Sequence, residues 1–180
     1  MTSIQANAAP AILNRSYRIT AEVEVPQSGA NGMVITQGGR FAGWGLYVRE
    51  GKPVFTVNLL GVERAKWEGS AVLTPGKHTV VFDWKMDPQG MPVGRGGSGT
   101  LSVDGKDVAQ RSLPKTLPFT FAWDETLDVG LDTGTPVDDQ DYQVPFAFTG
   151  RLIRVTVDTG ETSATPEALR EMQARMQQRD

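Results

Sequence analysis

In the stretch Tyr17-Arg18-Ile19-Thr20-Ala21-Glu22-Val23-Glu24-Val25, apolar and polar residues alternate without a break. Tyr17, Ile19, Ala21, Val23 and Val25 fall on one side of an extended chain and the charged or hydroxyl residues on the other. That is the period of a β-strand with one face buried. The same period recurs downstream. Met33 to Thr36 is a short strand stopped by Gln37-Gly38-Gly39-Arg40. Phe41 to Val48 follows, with Trp44, Leu46 and Val48 on one face. Beyond the Glu50-Gly51 turn, Phe55, Val57 and Leu59 alternate with Val54, Thr56 and Asn58. Glu63 to Glu68 carries Trp67, and Thr74-Pro75-Gly76-Lys77 suits a tight turn. His78, Val80, Phe82, Trp84 and Met86 then share a face.

The Gly- and Pro-rich run from Asp87 to Gly99 has no period and reads as a loop. Thr100 to Val103 and Lys106 to Gln110 flank Asp104-Gly105, a strong hairpin signal. Phe146, Phe148, Ile153, Val155 and Val157 read as one closing strand with a bulge at Gly150. About eleven short strands with Gly and Pro at the turns, and no helices between them to make parallel crossovers, predict an all-β antiparallel sandwich. At the C-terminus Thr165 as cap, Pro166 at the first helical position and the ridge Leu169, Met172 and Met176 predict one amphipathic helix. That ridge is too narrow for a core helix and suits docking on the sandwich or on a second copy of the chain. Residues 1–14 read as a linker, 15–158 as one sandwich domain, and 159–180 as a linker with the helix.

Composition narrows the function classes. A chain of 180 residues with 39% hydrophobic residues, four Trp, seven Phe and three Tyr can build a core without staples. Zero Cys excludes disulfides, thiolate metal sites and thiol nucleophiles. A pI near 5.2 and the lack of a basic run argue against nucleic acid. No apolar run approaches the ~20 residues needed to span a bilayer, and no signal pattern opens the chain, so no membrane role and no address are expected.

Charge is concentrated in one place. Between Asp124 and Asp141 lie seven acidic residues and no Lys or Arg, in a chain whose net charge is only −3. Asp132, Asp138, Asp139 and Asp141 could offer the oxygens that Ca²⁺ wants, although the EF-hand order of ligands is missing. The alternative is pairing with Arg40, Arg49 or Arg151. We expect Arg40 to pair with this loop, with Asp124, Glu125 and Asp128 among its partners, and so to tie together the loops at one sheet end.

The motifs of catalysis are missing. His78 is the one histidine, a poor basis for a zinc cluster or a Ser-His-Asp set, and is read as structural. Gly96-Gly97-Ser98-Gly99-Thr100 is neither a nucleophile elbow nor a phosphate loop. A retaining glycosidase would need two carboxylates ~5–5.5 Å apart. Asp124, Glu125 and Asp128 cluster without the required alternation, and Glu22 and Glu24 alternate on an ordinary solvated face. Exposed Trp44, Trp67 or Trp123 would stack on sugar rings, whereas a strand Trp more often lies in the core.

Asn14 to Val25, Gln37-Gly38-Gly39-Arg40-Phe41-Ala42-Gly43-Trp44-Gly45-Leu46-Tyr47, Pro75 to Thr79, and above all Asp124-Glu125-Thr126-Leu127-Asp128-Val129-Gly130 with Asp132-Thr133-Gly134-Thr135-Pro136 resemble the C-terminal region of a group of bacterial arylsulfatases. The resemblance implies a concanavalin A/laminin G-like jelly roll that follows a sulfatase catalytic domain and packs against it in cis. It implies export to the periplasm or beyond if the parent enzyme is exported. No catalytic residue carries over: Ser112-Leu113-Pro114-Lys115-Thr116, the nearest string to the formylglycine motif, lacks its Arg. The expected role is therefore a non-catalytic accessory domain. The alternatives are a carbohydrate-binding module and, behind it, a glycan hydrolase of lectin or glucanase fold.

Overall fold

A computed structural model describes residues 1–5, 8–118 and 126–177, with side chains described as far as residue 174. In chain order the elements are β1 (Tyr17–Val25), β2 (Gly32–Gly38), β3 (Gly43–Arg49), β4 (Lys52–Leu59), β5 (Glu63–Glu68), β6 (Gly76–Met86), β7 (Arg95–Val103), β8 (Lys106–Lys115), β9 (Leu127–Val129), β10 (Leu131–Asp132), β11 (Phe146–Ala147), β12 (Arg151–Thr159) and α1 (Pro166–Gln177). They form two stacked sheets. The smaller has the order β12-β1-β6-β7-β8; the larger runs β10-β11-β2-β3-β4-β5, with β9 also paired to β2. This is the jelly-roll sandwich expected, with one helix appended.

The inward faces meet on aromatic rings. Phe55 of the larger sheet stacks on Phe82 of the smaller with centroids 3.5 Å apart. Trp67 stands edge-on to Phe82 at 5.1 Å, and its indole N–H donates to the Gly99 carbonyl across the layers at 2.9 Å. Such rings contribute area and a fixed relative orientation together. Trp44, Trp67 and Trp84 are all buried.

That packing corrects the loop expected from Asp87 to Gly99. β7 already begins at Arg95, and its glycines pair in register with Met86 and Trp84 of β6. A Cβ on Gly97 would lie 2.7 Å from the Trp84 ring, and one on Gly99 2.8 Å from those of Phe82 and Trp67. The glycines make room for three aromatic side chains; they do not break the strand.

The expected closing strand is two strands in different sheets. β11 pairs parallel to β2 through Ala147 and Met33, while β12 pairs antiparallel to β1. The chain crosses layers between them at Gly150, whose Cα faces the Glu24 carbonyl and the Phe148 ring too closely for any side chain. The bulge lies instead at Ile153: Glu22 pairs with Arg154 and Val23 with Leu152, leaving Ile153 unpaired and pointing outward.

The first residues also depart from the linker expected over 1–14. Ile4 bridges to Leu127, Ile12 is buried in the core, and the Asn14 amide clamps Pro118 and Gly94 at 2.9 and 2.7 Å. At the other end Thr165 caps α1, accepting the Ala168 N–H on its hydroxyl at 3.2 Å. Leu169 and Met172 are half-buried.

The Asp104-Gly105 turn joins β7 to β8, both residues with φ above zero as a two-residue hairpin requires. His78 locks it from β6: its Nδ1 lies 2.7 Å from an Asp104 carboxylate oxygen and its Nε2 2.7 Å from the Thr74 carbonyl. Both partners accept, so the protonated ring satisfies both. Burial opposes that charge, but the Asp104 and Thr74 hydrogen bonds outweigh it and raise the His78 pKa. The Thr79 N–H chiefly, with His78, lowers that of Asp104. The stability from His78 is therefore complete below its unfolded pKa, about 6.5, and is lost as pH rises through the raised folded value. Asp104 works oppositely: its contribution is lost as pH falls through its depressed folded value. We expect His78→Gln to cost stability at pH 5 and little at pH 9, read as denaturation midpoints. An equal cost at both would show that the ring's charge is immaterial.

Candidate functional site

The outer face of the larger sheet is covered by the chain itself. Met33, Tyr47 and Val54 point away from the sandwich interior and pack with Tyr142, Val144 and Phe146 in a second small core. Tyr142 and Phe146 stack at 4.5 Å. Strands β2, β3 and β4 are consequently buried on both faces, and the excursion from Thr133 to Val144 is fixed on top of them.

Ion pairs pin that excursion. The Asp138 and Asp141 carboxylates are only 3% exposed; Lys66 Nζ lies 3.0 Å from the first and 2.6 Å from the second. Arg49 reaches Asp141 at 2.9 Å, and Arg64 reaches Asp139 at 3.0 Å and Asp138 at 3.6 Å. Tyr47 donates its hydroxyl to Asp141 at 2.5 Å, with Thr56 at 2.9 Å. Three cations thus meet three carboxylates. Burial works against the Lys66 charge, yet the hydrogen bonds to Asp141 and Asp138 prevail and raise its pKa. Burial, then the Asp141 hydrogen bond, raises that of Tyr47 far above the usual phenol range. A lysine held protonated and a phenol held neutral tie the excursion down as a latch.

The other acids are engaged separately. Asp132 accepts the Tyr142 hydroxyl at 2.6 Å, and that hydroxyl accepts the Val137 N–H at 2.9 Å. Asp128 accepts the Ser3 N–H at 2.6 Å and the Thr133 hydroxyl at 2.8 Å. Of the acids weighed for calcium, Asp138, Asp139 and Asp141 are thus taken up by cations and Asp132 by Tyr142, and among the described residues no group of three acidic or histidine side chains is placed to hold a metal ion. Arg40 meets one loop acid, Asp139, at 3.8 Å and half-exposed. Asp128 is held by hydrogen bonds and not by Arg40, and Asp124, Glu125 and Trp123 lie outside the described residues. Arg151 pairs with Glu24 and Arg154 with Glu22 on the outer face of the smaller sheet, so that glutamate pair is solvated.

The residue that organises the loop end is Asn58, fully buried at the end of β4. Its Nδ2 donates toward the carbonyls of Gly39, Arg40 and Val137 at 3.1, 2.7 and 3.2 Å, and its Oδ1 accepts the Gly61 N–H at 2.8 Å. One amide thus joins the β2–β3 loop, the β4–β5 turn and the covering excursion. The Arg40 N–H adds a bond to the Thr135 hydroxyl at 2.8 Å. On this fixed frame three apolar side chains face solvent: Phe41 at 78%, Leu60 at 48% and Val62 at 90% exposure. Leu60 is held at φ 58°, a conformation that costs an L-residue on the order of 1 kcal/mol.

Asn58, Lys66, Arg64, Tyr47 and Tyr142 were not singled out by the sequence reading. The available signal was the outward series Arg64, Lys66 on β5, alternating with Ala65 and Trp67, in a chain with an unbalanced acidic run elsewhere. Among the described residues the exposed ring is Phe41, whereas Trp44 and Trp67 are core.

Together the fold and the loop end define a lectin-like jelly roll with a rigid, partly apolar tip. Solved structures of similar fold bear this out for the fold. The CBM40 of the Ruminococcus gnavus IT-sialidase, bound to alpha2,3 sialyllactose, matches with a TM-score of 0.55 at 15% identity, over 83% of this chain and 79% of that one. Its complex with alpha2,6 sialyllactose gives 0.52 at 14%, over 83% and 80%. The heptameric SAP-like pentraxin of Limulus polyphemus gives 0.50 at 12%, over 85% and 68%. No family model and no curated protein matches the sequence.

Proposed function

We propose that the chain is a non-catalytic carbohydrate-binding module that meets its glycan at the loop end of the larger sheet. Phe41 is the stacking platform, and Arg40 and Asp139 are the hydrogen-bonding groups beside it. The observation that carries this reading is an aromatic ring 78% exposed on a backbone that Asn58 and Thr135 hold rigid. An apolar ring in water gains nothing for the folded chain by itself. Against the apolar face of a sugar ring it gains area without an ordering cost, because the loop is already fixed. The jelly-roll likeness to modules solved with bound sialyllactose supports the same class.

A glycan array with the intact chain tests it. We expect saturable binding to a defined glycan set, weakened at least about tenfold in Kd, or about 1.4 kcal/mol, by Phe41→Ala. Stability should change by no more than about 0.5 kcal/mol, since the ring touches little of its own chain. Binding untouched by Phe41→Ala would move the site elsewhere, and an empty array would remove the reading.

A second reading is favoured by the same apolar group of Phe41, Leu60 and Val62. Such a trio suits packing against a neighbouring domain, as in the accessory domain of an arylsulfatase, for which the support is the sequence resemblance. It expects an empty array, and slowed amide exchange at residues 60–62 when the chain is joined to that domain.

A further inference from the structure

The loop end holds one cation that the fold does not use. Arg49, Arg64 and Lys66 each have a carboxylate of the excursion within 3.0 Å, and Arg111 of β8 meets Glu63 at the start of β5 at 3.7 Å. Asp128 and Asp132, the remaining described acids of the run, are buried on hydroxyl and N–H donors. Arg40 stands outside this pairing. Its Nε is 3.8 Å from Asp139 Oδ2, too far for a hydrogen bond, while Oδ1 of the same carboxylate already serves Arg64 at 3.0 Å. The Arg40 guanidinium therefore forms no hydrogen bond with any described residue, and its side chain is half-exposed.

A surface guanidinium is usually carried on a backbone that moves with it. This one is not. The Arg40 N–H donates to the Thr135 hydroxyl at 2.8 Å, and the Arg40 carbonyl accepts the Asn58 amide at 2.7 Å. The next residue is Phe41, whose ring is the exposed one. A fork of unpaired donors thus stands one position from an unpaired ring, on a main chain fixed on both sides. The fork matches an oxyanion that offers two acceptors side by side. The ring matches the C–H face of a sugar.

We infer that the glycan taken at the loop end is acidic: the carboxylate of a uronate, or a sulfate ester, sits on the Arg40 guanidinium while the sugar ring lies on Phe41. The inference rests on the carbohydrate reading above and narrows it. A neutral sugar would leave the guanidinium hydrated and gain the stacking alone. An acidic one adds charge-assisted hydrogen bonds, which are the stronger kind. The ordering cost is again small, because the main chain beneath both groups is already held.

An array of matched pairs on the intact chain tests the inference: uronate oligosaccharides beside their methyl esters, and sulfated oligosaccharides beside their desulfated forms. We expect the acidic member of a bound pair to hold at least about tenfold more tightly than its neutral partner. Its Kd should weaken as NaCl is raised from about 50 mM to about 500 mM. Which of the two sets responds tells a carboxylate from a sulfate. Arg40→Gln should bring the acidic member down to its neutral partner and flatten the salt dependence, with an unchanged thermal midpoint, since the half-exposed contact to Asp139 holds little. Arg40→Lys keeps the charge, loses the fork and should recover part of the preference. Phe41→Ala should weaken both members alike and leave their ratio standing. Equal binding of the two members, or an acidic preference that survives Arg40→Gln, would overturn the inference and leave the carbohydrate reading intact. An array with no hits would remove that reading, and the inference with it.

Discussion

Asn58→Ala is expected to destabilise the chain by about 3 kcal/mol and to abolish binding at the loop end. The estimate follows from what the amide holds. Its loss strands the buried Gly39 carbonyl, worth roughly 1–3 kcal/mol when left unpaired, and removes the partner of the partly buried Arg40 carbonyl and Gly61 N–H. Val137 retains only the long contact from Arg64 at 3.4 Å. Denaturant midpoints measure the first effect and the glycan array the second. The functional half is the more telling, because Phe41 itself is untouched: if binding survived, the tip would not depend on its anchoring. A cost below about 1 kcal/mol would show that the three segments hold together without the clamp.

Lys66→Met is expected to cost about 3–5 kcal/mol at neutral pH, the usual penalty for removing one partner of a buried ionic group. Asp138 and Asp141 remain 3% exposed beside it, each left with a single arginine. The sharper measurement adds Asp138→Asn and Asp141→Asn to Lys66→Met. If the lost stability reflects uncompensated charge, the triple variant should be more stable than the single one, because neutral amides tolerate the site better than unpaired carboxylates. A triple variant still less stable would mean that the lysine acts by packing its stem and not through its charge.

The sandwich was legible because each inward face repeats at the strand period: Ile19, Ala21 and Val23 on β1, Phe55 and Val57 on β4, Val80, Phe82 and Trp84 on β6. What resisted reading was packing against that pattern. β7 is rich in glycine because rings from β5 and β6 occupy its inner face, and a sequence window cannot see a ring that arrives from another strand. The second core was hidden for a related reason. Tyr142, Val144 and Phe146 belong to no regular element long enough to show a period, yet they turn the outer positions Tyr47 and Val54 into interior ones. The acidic run was visible as charge, but its partners were not: Lys66 and Arg64 sit on β5, some 75 positions from Asp139 in the chain. Arg40, close to the loop in the family-like segments, contributes the longest of the contacts.

The pairing of β1 with β12 joins Tyr17 to Thr159, so one flank of the smaller sheet is closed by a strand from the far end of the sandwich sequence. Until residue 159 has emerged, β1 can be held by β6 on one side while its other row of peptide groups stays open, a template on which two nascent chains can zip together. A chain cut off before β12 would therefore keep that row open and associate through it.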